Sequence, residues 1–177
     1  MPVQAQVKTF HKFALGFNVG LNTMNGLGPV VAYRPDKIVE FNLGGGVSLY
    51  NGGKIGVGGK VMFQREGYCI PFFSVYYSVT TGKHLVSNRF SNEIENYTTF
   101  PNQYFIPNLG LFVPGNFINH YLSVGYTVIL NKYRIDRDPH NSPGGEYSYD
   151  TIVARLKGGF MITYTMTLYL HKSKDLD

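Results

Sequence analysis

The stretch FALGFNVGL, residues 13 to 21, constrains the fold more than any other. Phe13, Leu15, Phe17, Val19 and Leu21 are apolar, and Ala14, Gly16, Asn18 and Gly20 between them are small or polar. A period of two is the signature of a strand, whose successive side chains point to opposite faces. Charge is almost absent from the second face. A soluble sandwich also buries one apolar face per strand, but its outer face is rich in Lys, Glu and Asp. Here the non-apolar faces hold Gly, Ser, Thr and Asn, and charged residues make up 15% of the chain, against about 25% in soluble domains.

The pattern recurs along the 177 residues, and we read one domain with eight strands. The first covers about 10 to 23 and the second about 28 to 34, where Val30 and Val31 adjoin and leave the faces ambiguous. RPDK at 34 to 37 is a tight turn with Pro35 preset for its first central position. The third strand, VEFNLGGGVSLY, sets Val39, Phe41, Leu43, Val47 and Leu49 against Glu40, Asn42, Gly44, Gly46 and Ser48. The fourth, KIGVGGKVMFQ, sets Ile55, Val57, Val61 and Phe63 against Gly56, Gly58, Lys60, Met62 and Gln64. A three-residue loop at Gly52-Gly53-Lys54 keeps like faces together and predicts Leu43 opposite Phe63.

Strand five is expected at 69 to 80, then a long loop from Thr81 to about Gln103. Strand six, YFIPNLGLFV, carries Pro107, which predicts an irregular ladder. Strand seven sets Leu122, Val124, Tyr126, Val128 and Leu130 against Tyr121, Ser123, Gly125, Thr127 and Ile129. A second long loop spans about 132 to 149, and the last strand runs from about Thr151 to His171.

These faces suit a closed antiparallel up-and-down barrel crossing a membrane. Eight strands leave just enough interior for packed side chains, so small residues face inward and apolar ones meet lipid. Mean hydropathy is near zero (−0.10) because the two faces average out. No run approaches the ~18 apolar residues of a spanning helix. Short turns after strands two, four and six, with long connections after five and seven, predict periplasmic termini in a bacterial outer membrane. Tyr33, Tyr68, Phe72, Phe117 and Tyr169 are expected as one interfacial girdle and Tyr50, Tyr76, Tyr104 and Tyr133 as the other.

With FALGFNVGL, VEFNLGGGVSLY and FMITYTMTLYL laid out, the chain resembles the small outer-membrane barrels of the OmpA-membrane-domain and OmpX type over about residues 8 to 171. Many such barrels finish on an aromatic residue, whereas here HKSKDLD follows Tyr169-Leu170. Residues 172–177 are read as a periplasmic tail and 1–7 as an arm. In MPVQAQ, Val3 and Ala5 match the small-residue pattern of a signal-peptidase site, with Gln6 as the mature start. A chance match is the alternative, and N-terminal sequencing of the native protein decides between them.

The residues of the chain predict no catalytic, cofactor or metal site. His120 and Ser123 are three apart and so fall on opposite faces of a strand. His11 and His171 lie on neighbouring strands with different faces, and His84 and His140 lie in loops. Asp136, Asp138, Glu146 and Asp150 are numerous enough for calcium but lack a liganding order, and Arg134 and Arg137 are at hand to pair with them. Cys69 is the one cysteine, which excludes an intrachain disulfide. GGG at 44 to 46 precedes no helix and reads as close packing rather than a phosphate loop.

Lys12, Glu40, Lys60, Arg155 and Lys157 have inward parity and form an expected lumenal charge network with excess positive charge. The net charge of +5 is scattered, with no run suggesting nucleic acid. The leading expectation is a non-enzymatic barrel, a structural or accessory subunit or surface-binding component. It would contact lipopolysaccharide and protein partners of an envelope complex through loops carrying His84, Arg89, Tyr97, Tyr104, Arg137, His140 and Tyr147. A lipid-modifying enzyme and a narrow anion-preferring channel are the alternatives.

Overall fold

A computed structural model describes residues 12–48, 51–88, 94–115, 117–131, 135–137 and 158–170. Eight of its strands close into one antiparallel barrel: β1 (Phe13–Leu21), β2 (Gly28–Tyr33), β3 (Val39–Ser48), β4 (Gly52–Met62), β5 (Ile70–Thr80), β8 (Gln103–Val113), β9 (Ile118–Ile129) and β11 (Gly158–Tyr169). Each pairs with its predecessor in the barrel, and β1 pairs with β11 to close the ring, as in Phe17 opposite Met166. Three more strands, β6 (Lys83–Asn88), β7 (Ile94–Thr99) and β10 (Ile135–Arg137), form a separate sheet in the order β10-β7-β6.

The alternation read in the sequence sets inside from outside. Leu15, Phe17, Val19, Leu43, Val57, Leu109, Leu122, Val124, Ile162 and Leu168 are exposed, while Asn18, Asn42, Ser74, Asn108, Thr163, Thr165 and Thr167 are buried. A polar interior inside an apolar wall is the reverse of a soluble barrel. The exposed wall requires lipid, and closure leaves the barrel no free edge. At the ambiguous second strand, Val30 turns inward and Val31 outward.

The β3–β4 register differs from the expectation. Leu43 pairs with Val57, not Phe63, and Ser48 pairs with Gly52. Gly52 and Gly53 are in the strand rather than the turn, and Gly52 holds a φ of 72°, where a side chain would be strained. Both registers keep the apolar faces aligned because they differ by an even number of residues. Face matching rejects odd slips only. The irregularity expected at Pro107 is present: the β8–β9 ladder pairs Phe105 with Val128 and resumes at Asn108 with Gly125. Proline has no N–H to give that ladder.

The two connections expected as long loops carry structure. Beyond the end of β5 the chain passes Thr81 and Gly82 and continues as β6, then β7 returns it toward β8. From the second connection, β10 adds to β7, with Arg137 opposite Tyr97. The short β1–β2 connection folds into the barrel instead. Asn22 adopts a φ of 54° and Gly26 one of 67°, which reverse the chain and bury Thr23, Met24 and Asn25. Asn18 donates to Asn25, whose Nδ2 donates to the Pro29 carbonyl at 2.9 Å. Gly56 makes room for Met24, since a Cβ there would meet Met24 Cγ at 2.3 Å.

Candidate functional site

Glu40 organises the lumen. It sits directly across the β3–β4 ladder from Lys60, and the inward parity of both strands puts the two side chains together. Lys60 Nζ donates to Glu40 Oε1 at 2.7 Å. Arg34 follows the end of β2, in the RPDK turn, and reaches back inside, where its Nη2 donates to Glu40 Oε2 at 2.6 Å. Tyr121 of β9 crosses the bore to donate its hydroxyl to the same Oε2 at 2.8 Å and accepts from Arg34 Nη2 at 2.9 Å. Glu40 is 1% exposed, and three donors surround its carboxylate. A buried charge needs this degree of pairing to be tolerated.

Aromatic faces support the cations. Lys60 Nζ lies 3.7 Å from the Tyr121 ring centroid, and the Arg34 guanidinium lies 4.7 Å from that of Phe112. Such contacts are worth more when desolvated, about 2 kcal/mol or above. Phe112 in turn stacks on Tyr121 at 4.7 Å between centroids. Met62, Ile70, Phe72, Phe112 and Tyr121 form one apolar cluster in the lumen. Met24, Val30, Tyr76, Tyr104, Ile106 and Met161 form another. In the second, Lys54 Nζ lies 4.9 Å from the Tyr104 ring, and Asn51 Nδ2 donates to the Tyr104 hydroxyl at 3.1 Å.

Of the predicted lumenal charges, Glu40 and Lys60 meet in this network. Lys12 is exposed and lines a small cavity with Arg34, Glu40, Asn119, Tyr121 and Tyr169. Arg155 and Lys157 lie outside the described residues. Arg34 and Lys54 are the other buried basic side chains among the described residues, and Tyr121 joins Arg34 and Lys60 at Glu40. For Tyr121 the signal is present in the sequence as inward parity on its strand, whereas Lys54 falls in the expected three-residue loop and enters β4 only with the observed register. Arg34 closes the second strand as read, in step with inward Val30 and Ala32, but the ambiguous faces of that strand hid its direction.

Tyr104 corrects the sequence reading twice. It was expected at a loop contact and in an aromatic girdle, but it is in β8 with its side chain buried in the lumen. Its parity matches inward Asn108, not outward Phe105. Phe72 and Tyr76 are likewise inside, and Tyr169 turns in to donate to Asn119 Oδ1 at 2.5 Å. Tyr33, Tyr68 and Phe117 are exposed as expected, and Tyr50 and Tyr133 lie outside the described residues.

Of the other loop residues, the backbone register of the small sheet sets His84 opposite Thr98 and both Leu85 and Arg137 opposite Tyr97. Arg89, His140 and Tyr147 lie outside the described residues, as do Asp138, Glu146 and Asp150 of the acidic group. His120 does not meet Ser123. Its Nδ1 is 2.7 Å from the Tyr164 hydroxyl on the outer wall, while Ser123 is buried inside.

The RPDK turn links β2 to β3 at the end of the barrel where β1 begins. In the RPDK turn, Asp36 Oδ1 accepts from the Ile38 N–H at 2.6 Å and the Val39 N–H at 2.8 Å. The Val39 bond first, and the Ile38 bond with it, holds the Asp36 carboxyl below its ordinary pKa.

No family model matches the sequence, and no curated protein is similar to it. Among solved structures the chain is similar to CarO of Acinetobacter baumannii, at 12% identity and a TM-score of 0.43, over 90% of this chain and 98% of that one.

Proposed function

We propose that this chain is a non-enzymatic outer-membrane barrel that works as a structural or accessory component through the sheet it raises on its loop side. The observation that carries the reading is a division of labour between bore and rim. The bore is occupied by Arg34, Glu40, Lys60 and two apolar clusters that include Met24 and Tyr121. The chain that continues past the rim is organised into β6, β7 and β10. Ordered backbone beyond a membrane wall presents a recognition surface on a rigid support. Its outer strands, β6 and β10, each have one neighbour in that sheet and offer backbone groups to a partner.

Termini on the periplasmic side follow from this orientation, with the sheet facing outward toward lipopolysaccharide or an envelope protein. The occupied bore argues against the channel alternative.

The test replaces Lys83–Thr99 with a short turn and compares the variant with the full chain. Gel mobility in SDS, unheated against boiled, reports whether each barrel is closed. Extraction from native envelopes in mild detergent then reports partners. The reading expects a closed barrel in both and a defined co-purifying component only with the full chain. Identical complexes from both would overturn it. Altered lipid A mass spectra would favour the enzyme, and steady planar-bilayer conductance the channel.

A further inference from the structure

We infer that the middle of the lumen holds a monatomic anion, a halide, against the side-chain amide of Asn42. The inference is independent of the loop-side reading, because it concerns only the barrel interior.

The first observation is charge. Among the described residues, the buried ionisable side chains other than tyrosine are Arg34, Lys54 and Lys60 against the single carboxylate of Glu40. That carboxylate is shared between Arg34 and Lys60. The interior therefore carries positive charge that no described acid balances, and buried charge is costly until it is paired.

The second observation is an unpartnered donor. Asn42 is 3% exposed, and its Oδ1 accepts from Lys60 Nζ at 3.4 Å. This bond sets the amide's orientation, since the reverse would put an NH₂ group against an ammonium. Asn42 Nδ2 is left with no protein partner. Thr163 Oγ1 is also buried and unpartnered. Amide and hydroxyl donors beside a buried ammonium are the chemistry that binds an anion too weakly basic to take a proton.

The third observation is space. Asn42, Lys60 and Thr163, with Met24, Phe72 and Met161, line one small cavity of about 20 Å³. That is room for one or two waters; a halide is somewhat larger than a water and enters as the lining side chains give by a few tenths of an ångström.

The experiment uses the full chain refolded into detergent micelles. Thermal unfolding is followed in sodium gluconate with bromide substituted at constant ionic strength, and anomalous diffraction locates bromide in crystals grown with it. A ligand that binds only the folded state raises the midpoint with concentration. The expected results are a bromide-dependent rise and an anomalous peak beside Asn42 Nδ2. Asn42→Leu should raise the bromide concentration for half the rise at least tenfold while its barrel still shifts on boiling. If that variant fails to close, the isosteric Thr163→Val gives the same reading with a smaller shift. A midpoint indifferent to bromide, an equal response in the variant, or an ordered water with no anomalous signal would overturn the inference.

Discussion

Glu40→Gln tests whether the lumenal network holds the barrel together. Glutamine keeps the size of the side chain and one carbonyl oxygen, so no cavity is created. It removes the negative charge between Arg34 and Lys60 and reduces the acceptor capacity that now serves Lys60 Nζ at 2.7 Å, Arg34 Nη2 at 2.6 Å and the Tyr121 hydroxyl at 2.8 Å. Two cations then remain in the bore without their counter-charge. Breaking a buried ion pair by removing one partner costs about 3–5 kcal/mol, mostly from the charge left behind. We expect that loss in urea unfolding from phospholipid vesicles, read by the SDS mobility shift. The physical cause is separated from mere packing by adding Lys60→Met. Removing a stranded cation should make the double variant more stable than Glu40→Gln alone, by about 1 kcal/mol or more. A loss under about 1 kcal/mol for Glu40→Gln, or a double variant in which the two costs add, would refute the account.

Three further expectations follow from the wall, the glycines and the turn. Val124→Arg, near the middle of outward-facing β9, should cost about 2–4 kcal/mol in bilayers, while inward Ser123→Ala is nearly neutral; equal effects would reverse inside and outside. Gly58→Ala should cost about 1–3 kcal/mol through overpacking, because its Cβ would lie 2.2 Å from both Tyr76 Cδ1 and the Val75 carbonyl oxygen. The adjacent Gly59→Ala, whose nearest neighbour would be 3.7 Å away, should be tolerated in the same unfolding assay. Asp36→Ala should cost about 0.5–1.5 kcal/mol at neutral pH. Because the folded state lowers the Asp36 pKa, its stabilisation is present above the ordinary aspartate range and fades as pH falls through the lowered value. Stability curves of wild type and Asp36→Ala should therefore converge in acid, and a constant gap would rule out the turn carboxylate as its source.

The alternation of FALGFNVGL and its repeats is enough to read the eight barrel strands, their closure and the inside–outside alternation of most of their described residues. The reason is local. A strand's side-chain period is two whatever its partners, and lipid on one side of a narrow bore imposes one rule on every strand. Glu40 and Lys60 were legible as lumenal for the same reason. Tyr76 and Tyr104 carried inward parity too, but were read as interfacial because aromatics near strand ends suggest a girdle.

What only the tertiary structure decided depends on distance around the ring. Parity is blind to even shifts, so closure with all eight strands chose Leu43 opposite Val57 over Leu43 opposite Phe63. Met24 lies in a connection, where no periodicity states a direction, and Arg34 at the end of a strand whose faces the sequence leaves ambiguous; they enter the bore because charge and apolar surface there need partners. The loop-side sheet is similar: β10 joins β7 across more than thirty residues of chain, a pairing that local pattern does not encode. A short strand becomes stable when distant backbone supplies its hydrogen bonds, and that supply is a property of the folded molecule.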